Sequence, residues 1–169
     1  KLVSLMKEEN ELSNEYRALL AGAEIKYKGK ILNLAGLSPF MQDINRETRK
    51  QKVKYFKLKE FDSPDEPGSG FNMSEEILHM LDAARKIYGK SMRVTSGFRT
   101  ESHNKKVGGV VSSSHLKGLA ADIACSESRN RFEMIKALLE VGFKRIGVAS
   151  TFIHIDNDKN KSQNVIWTY

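Results

Sequence analysis

Between residues 74 and 156 the hydrophobic pattern switches repeatedly between a helical and a strand period, and it never settles into a strand–helix–strand rhythm. A chain patterned this way is poorly suited to a parallel βαβ sheet, and the fold class it predicts is α+β. Ser74 is placed to cap a helix over 74–88, with Ile77, Leu78, Leu81, Ala84 and Ile87 as its buried stripe. Residues 92–96 read as a short strand. Residues 97–114, with Gly108-Gly109 and three consecutive serines, read as a long loop broken by one helical turn. Strands are predicted at 119–125, 144–149 and 152–156, and a helix over 128–141 that Gly142 stops. Upstream, the turn-rich run 62–70 is a connector.

Residues 1–50 have a different character. Leu2, Leu5, Met6, Leu12, Tyr16, Leu19 and Leu20 recur at helical spacing among charges and predict an amphipathic helix ending near Gly22. A short hairpin is expected over 24–34 around Lys28-Gly29-Lys30, and Ser38-Pro39 opens a second helix toward Lys50. The region holds no cluster of catalytic residue types, so its expected role is packing or docking to a protein partner. The division expected is a helical segment over 1–50 and a second domain over 51–169.

The net charge is +7, and much of the excess lies in Arg46, Arg49, Lys50, Lys52, Lys54, Lys57 and Lys59. Nucleic acid, an anionic cell-wall polymer and a plain solvated surface all suit such a run. With few stacking aromatics and no nucleic-acid motif, nucleic acid ranks last. No apolar run approaches the roughly 20 residues of a membrane span.

Cys125 is the only cysteine, so an internal disulfide and a cysteine-rich metal site are both excluded. Its apolar setting suits a buried thiol. Any metal must therefore rest on histidine and carboxylate. Of the four histidines, His79 lies in the 74–88 helix without a histidine or acidic partner at ligand spacing and reads as structural or surface. His103 lies in the loop after Arg99, and His115 and His154 sit beside strands. Gly118, Ala120 and Ala121 permit a tight turn that brings His115 and Asp122 toward one point. That pair alone is equally what a loop histidine hydrogen-bonded to a strand aspartate would give.

The pattern Ser113-x-His115-x-x-Gly118-x-Ala120-x-Asp122, followed by Phe152-Ile153-His154-Ile155-Asp156, resembles the signature of the zinc D-Ala-D-Ala peptidase superfamily. That superfamily includes D,D-carboxypeptidases, dipeptidases, phage endopeptidases and the related hedgehog signalling domain. Val94 to Arg99, His103 to Gly109 and Tyr55 to Phe61 match it in order and type, so the likeness covers about 55–169 and leaves out 1–50. The resemblance implies a small, mainly antiparallel sheet with packed helices. It also implies Zn2+ held by His115, Asp122 and His154, with Arg99 at the active site and Ser113 near the substrate. A guanidinium suits both a substrate carboxylate and a developing oxyanion; the plainer alternatives are a loop salt bridge for Arg99 and a turn hydroxyl for Ser113.

Several branches of the family carry a general-base carboxylate just before the last histidine, whereas residues 145–153 here contain no acid. Asp156, two residues after His154 and on the same strand face, is the nearest. It either takes a proton from water or orients a ligand, and both roles stay open. More distant acids are Glu101 and Glu127. The function implied is hydrolysis of an amide bond in peptidoglycan stem peptides, at the bacterial cell wall or periplasm, or as a phage lysis or virion protein. The rival from another class is a non-catalytic, zinc-stabilised binding or phage structural module.

Overall fold

The computed structural model describes residues 53–169 and the backbone of two strands, β1 (Ile25–Tyr27) and β2 (Lys30–Leu32). The chain divides into two units, Lys1–Arg46 and Glu47–Tyr169. In the first, β1 and β2 pair antiparallel with Tyr27 opposite Lys30, which is the hairpin expected around Lys28-Gly29. The two helices expected on either side of it lie outside the described residues.

The second unit is α+β, as the irregular pattern predicts. Its elements run α1 (Glu75–Tyr88), β3 (Val94–Ser96), α2 (Glu101–Lys106), β4 (Ala120–Ala124), α3 (Ser128–Glu140), β5 (Arg145–Val148), β6 (Phe152–Asp156) and β7 (Val165–Thr168). Five strands form one sheet in the order β3-β4-β6-β5-β7, antiparallel except for the β5–β7 pair. Among the described residues no helix is long and apolar enough to cross a membrane.

Helix α1 starts after Ser74, carries Glu75 and Glu76 in its first turn and Arg85 and Lys86 in its last, and ends on Gly89 at φ 72°. The acids and bases oppose the helix dipole and so favour both ends. Ile77, Leu78, Leu81 and Ala84 are buried as expected, but Ile87 is 45% exposed. At about 100° per residue, Tyr88 continues the Leu81 row and Ile87 falls on its flank. Tyr88 accordingly packs on the core.

That core joins Ile77, Leu78 and Leu81 of α1 and Met134 and Leu138 of α3 to Ile123, Ile146, Ile153 and Ile155 of the sheet. Cys125 belongs to it as a buried thiol whose ionisation burial opposes. The sheet's other face is polar. Strand β7 was not foreseen: four residues are too few for a period to register, and a parallel partner twenty residues away leaves no local turn signal.

Candidate metal centre

Strand register aligns the site. Ser96 stands opposite Asp122, Asp122 opposite His154, His154 opposite Gly147, and Gly147 opposite Trp167. One row thus crosses all five strands, and cross-strand partners share a face. The next row along places Asp156 opposite Arg145. Gly147 has a direct role: a Cβ there would meet the rings of Trp167 and Tyr169 at 2.7 Å, so only glycine lets those rings lie across the row.

His115 reaches the same face from a 3-10 turn, Ser114–Lys117. Ser113 precedes the turn and its Oγ accepts the His115 backbone N–H at 3.4 Å. Gly118 closes it at φ 65°, where a Cβ would strike the Asn72 carbonyl. The turn is pinned beneath by Asp158, which accepts hydrogen bonds from Ser114 Oγ at 3.2 Å and Lys117 Nζ at 2.9 Å.

Three donor atoms converge. His154 Nδ1 lies 2.7 Å from Asp122 Oδ1, His115 Nε2 lies 3.3 Å from the same oxygen, and the two ring nitrogens are 3.3 Å apart. A tetrahedral ion with arms of 2.0–2.1 Å requires donors about 3.3–3.4 Å apart, so two of the three separations match a small divalent cation and the third is shorter. All three residues are buried.

Each donor is oriented from behind. His115 Nδ1 is 2.6 Å from the Gly97 carbonyl. A carbonyl only accepts, so Nδ1 carries the proton and Nε2 presents its lone pair to the cluster. Asp122 spends Oδ2 on Arg99 Nη2 at 2.6 Å, while Arg99 Nε is held by Ser96 Oγ at 2.7 Å. His154 turns Nε2 toward Asp156 Oδ2 at 3.2 Å. Asp156 is itself fixed, its Oδ1 accepting from Arg145 Nε at 2.8 Å and the Asp158 backbone N–H at 3.1 Å. This is the ligand–carboxylate arrangement that tunes and aims metal-binding histidines.

The electrostatics suit a cation. Burial pushes the Asp122 carboxyl up, but hydrogen bonds from His115 and His154 outweigh it and hold the group well below the usual carboxylate range. Burial, with the Arg99 charge adding to it, keeps His115 neutral below its ordinary range. For His154 burial acts in the same direction, yet Asp122 and Asp156 together draw a proton onto the ring. The pull that attracts that proton also attracts a metal ion, which competes for the same Nδ1 lone pair.

The centre forms part of a cavity of about 430 Å³. Arg99, Ser113, His115, Asp122, His154 and Asp156, all singled out in the sequence, line it together. His79 does not: it lies on α1, 3.7 Å from Glu75, an acidic partner one helical turn away that the sequence reading overlooked, and the pair sits outside the cavity. His103 is in α2, and neither it nor Glu101 or Glu127 lines the cavity. The sequence reading missed Arg145, Lys161, Trp167 and Tyr169, which line the cavity too. The Trp167 ring lies 5.6 Å from that of His154, with the Arg145 guanidinium 5.2 Å above it. Val107 to Val110, a stretch containing two exposed valines, also lines the cavity.

No curated protein sequence matches the chain. The family model for peptidase M15 matches residues 42–156, more than half of the sequence and all three donor residues. A buried His–Asp–His group lining a cavity is compatible with metal binding in a hydrolase of peptides, and by that match the chain belongs to the peptidase M15 family.

Proposed function

We propose that this peptidase uses Zn2+ held by His115, Asp122 and His154 to hydrolyse an amide bond in peptidoglycan stem peptides, in the manner of D-Ala-D-Ala carboxypeptidases and endopeptidases. The observation that carries the reading is the convergence of two imidazole nitrogens and one carboxylate oxygen within 2.7–3.3 Å, each aimed by a separate partner. Two imidazoles and a carboxylate suit zinc at a catalytic site, where a further position stays open for water or substrate. Bound there, the metal acidifies water and polarises a carbonyl. Arg99 fixes Asp122 so that one oxygen faces the cluster, and its position in the cavity suits contact with an oxyanion or a substrate carboxylate. Ser113 shapes the His115 turn and borders the space where substrate lies.

For Asp156 the geometry favours orientation over proton transfer. It meets His154 on Nε2, the nitrogen away from the donor cluster, and it is 1% exposed with both oxygens engaged. A binding module that does not cleave has one observation in its favour: among the described residues, both carboxylates lining the cavity are already committed to partners. Residues 1–50 are assigned to docking a protein partner. The basic run, of which Lys54, Lys57 and Lys59 are exposed, is assigned to an anionic cell-wall polymer.

Digestion of purified peptidoglycan with zinc-loaded protein, followed by mass analysis, tests activity and bond choice together. New peptide ends that vanish with a chelator support the peptidase; intact peptides beside measurable peptide binding favour the binding module.

A further inference from the structure

Among the described residues, three cationic side chains and two carboxylates line the cavity. Arg99 is paired with Asp122 at 2.6 Å and Arg145 with Asp156 at 2.8 Å, which consumes both acids. Arg145 also donates to the Ser162 carbonyl and covers the Trp167 ring. Lys161 is left over. It is partly buried, its backbone N–H is held by Asp158 and its carbonyl by Gln163, but its ammonium has no carboxylate partner among the described residues. A divalent ion at the donor cluster adds further positive charge to the same space.

An ammonium without a carboxylate partner among the described residues, in a cavity lined also by Trp167 and by Val107 and Val110, suits a carboxylate carried on a short peptide. We propose that Lys161 is a specificity residue: it anchors a free carboxylate of the substrate, so that this site takes anionic peptides and discriminates against their amidated forms. The proposal rests on the peptidase reading for its substrate class, but its binding test does not require turnover.

Trp167 is the only tryptophan of the chain and lies in the cavity, so its fluorescence reports occupancy. The probe is the acetylated stem peptide L-Ala-D-γ-Glu-L-Lys-D-Ala-D-Ala, with its two carboxylates free or both converted to amides. It is titrated into the protein in the presence of a chelator, which prevents cleavage. The wild type is expected to bind the acid roughly 10-fold more tightly than the amide, the value of one charge-assisted hydrogen bond at a partly wet site. Lys161→Met should remove most of that preference with little change in amide affinity, and Lys161→Arg should restore most of it. Equal affinity for acid and amide, no quenching by either, or a preference that survives undiminished in Lys161→Met overturns the assignment. Cleavage by metal-loaded wild type is scored separately. Cleavage without acid preference removes the lysine's role and keeps the peptidase; acid-selective binding without cleavage keeps the lysine and removes the peptidase.

Discussion

The floor and the wall of the cavity are built on opposite principles. On the floor, His115, Asp122 and His154 are buried, and every polar atom turned away from the cluster is held: by the Gly97 carbonyl, by Arg99 and by Asp156. On the wall, Trp167 rests on β7, Lys161 on the loop before it and Tyr169 just past its end, and Val110 and Tyr169 are 65% and 69% exposed. Positions that must present lone pairs to one ion tolerate little freedom, because a misplaced donor forfeits both geometry and charge. Positions that receive a peptide are better left adaptable. On the proposed reading, a tightly held reaction centre and a more exposed peptide receptor would share one cavity.

The largest effect should come from the floor itself. His154→Ala is expected to abolish stoichiometric zinc binding. Zinc at about 1,000 times its Kd should stabilise the wild type by about 4 kcal/mol and leave the variant unmoved. Equal thermal shifts in both would break the contrast, since the donors would then not be the binding site.

Asp156→Asn should come next, weakening metal affinity by about 10–100-fold with the fold retained. A loss of roughly 10²–10⁴ in rate at unchanged affinity would instead give Asp156 the proton. Metal titration and kinetics on one variant separate the two.

Asp158 is buried beneath both the His115 turn and Asp156. Burial raises its pKa, but the Lys117 ammonium, the Asn160 backbone N–H and Ser114 overcome that and lower it overall. A depressed folded-state pKa means a contribution fully present above the unfolded value near 3.9, and lost as pH falls through the lower folded value. Asp158→Asn should cost about 1–3 kcal/mol at neutral pH and flatten the acid limb of the stability curve. A parallel acid limb in wild type and variant would show that this brace is dispensable.

The smallest effect is expected on the wall. Gly147→Ala should displace the Trp167 and Tyr169 rings and cost about 1 kcal/mol in stability. Peptide affinity should fall a few-fold while zinc affinity holds. Zinc affinity falling with it would mean that floor and wall are one rigid body.

The floor was far more legible in the sequence than the wall, for physical reasons. Histidine, aspartate and the glycine that closes the turn are residue types with few substitutes at a metal centre, so the family resemblance could pick out His115, Gly118, Asp122 and His154, where spacing alone left the His115–Asp122 pair open to a plain hydrogen bond. Their supports do not. The Gly97 carbonyl belongs to the backbone and has no letter of its own, and Arg145 meets Asp156 only through a cross-strand register that spacing along the chain does not reveal. Trp167 enters the site on a four-residue strand with no period of its own, and Tyr169 follows just past its end. Ile87 shows the same limit within one helix: a stripe read at its last turn is off by one position, and Tyr88 takes the place assigned to it.

The placement of Trp167 on β7 has a consequence for how the protein breathes. Among the described residues, β7 is tied to the sheet on one side only, through a four-residue parallel pairing with β5, whereas β4 and β6 are each flanked by strands on both sides. Strands held on one side open at lower free energy than the centre of a sheet. The amides of β7 should then exchange with solvent through local excursions that leave Asp122 and His154 protected. The receptor for the peptide would open and close many times during the life of one seated ion.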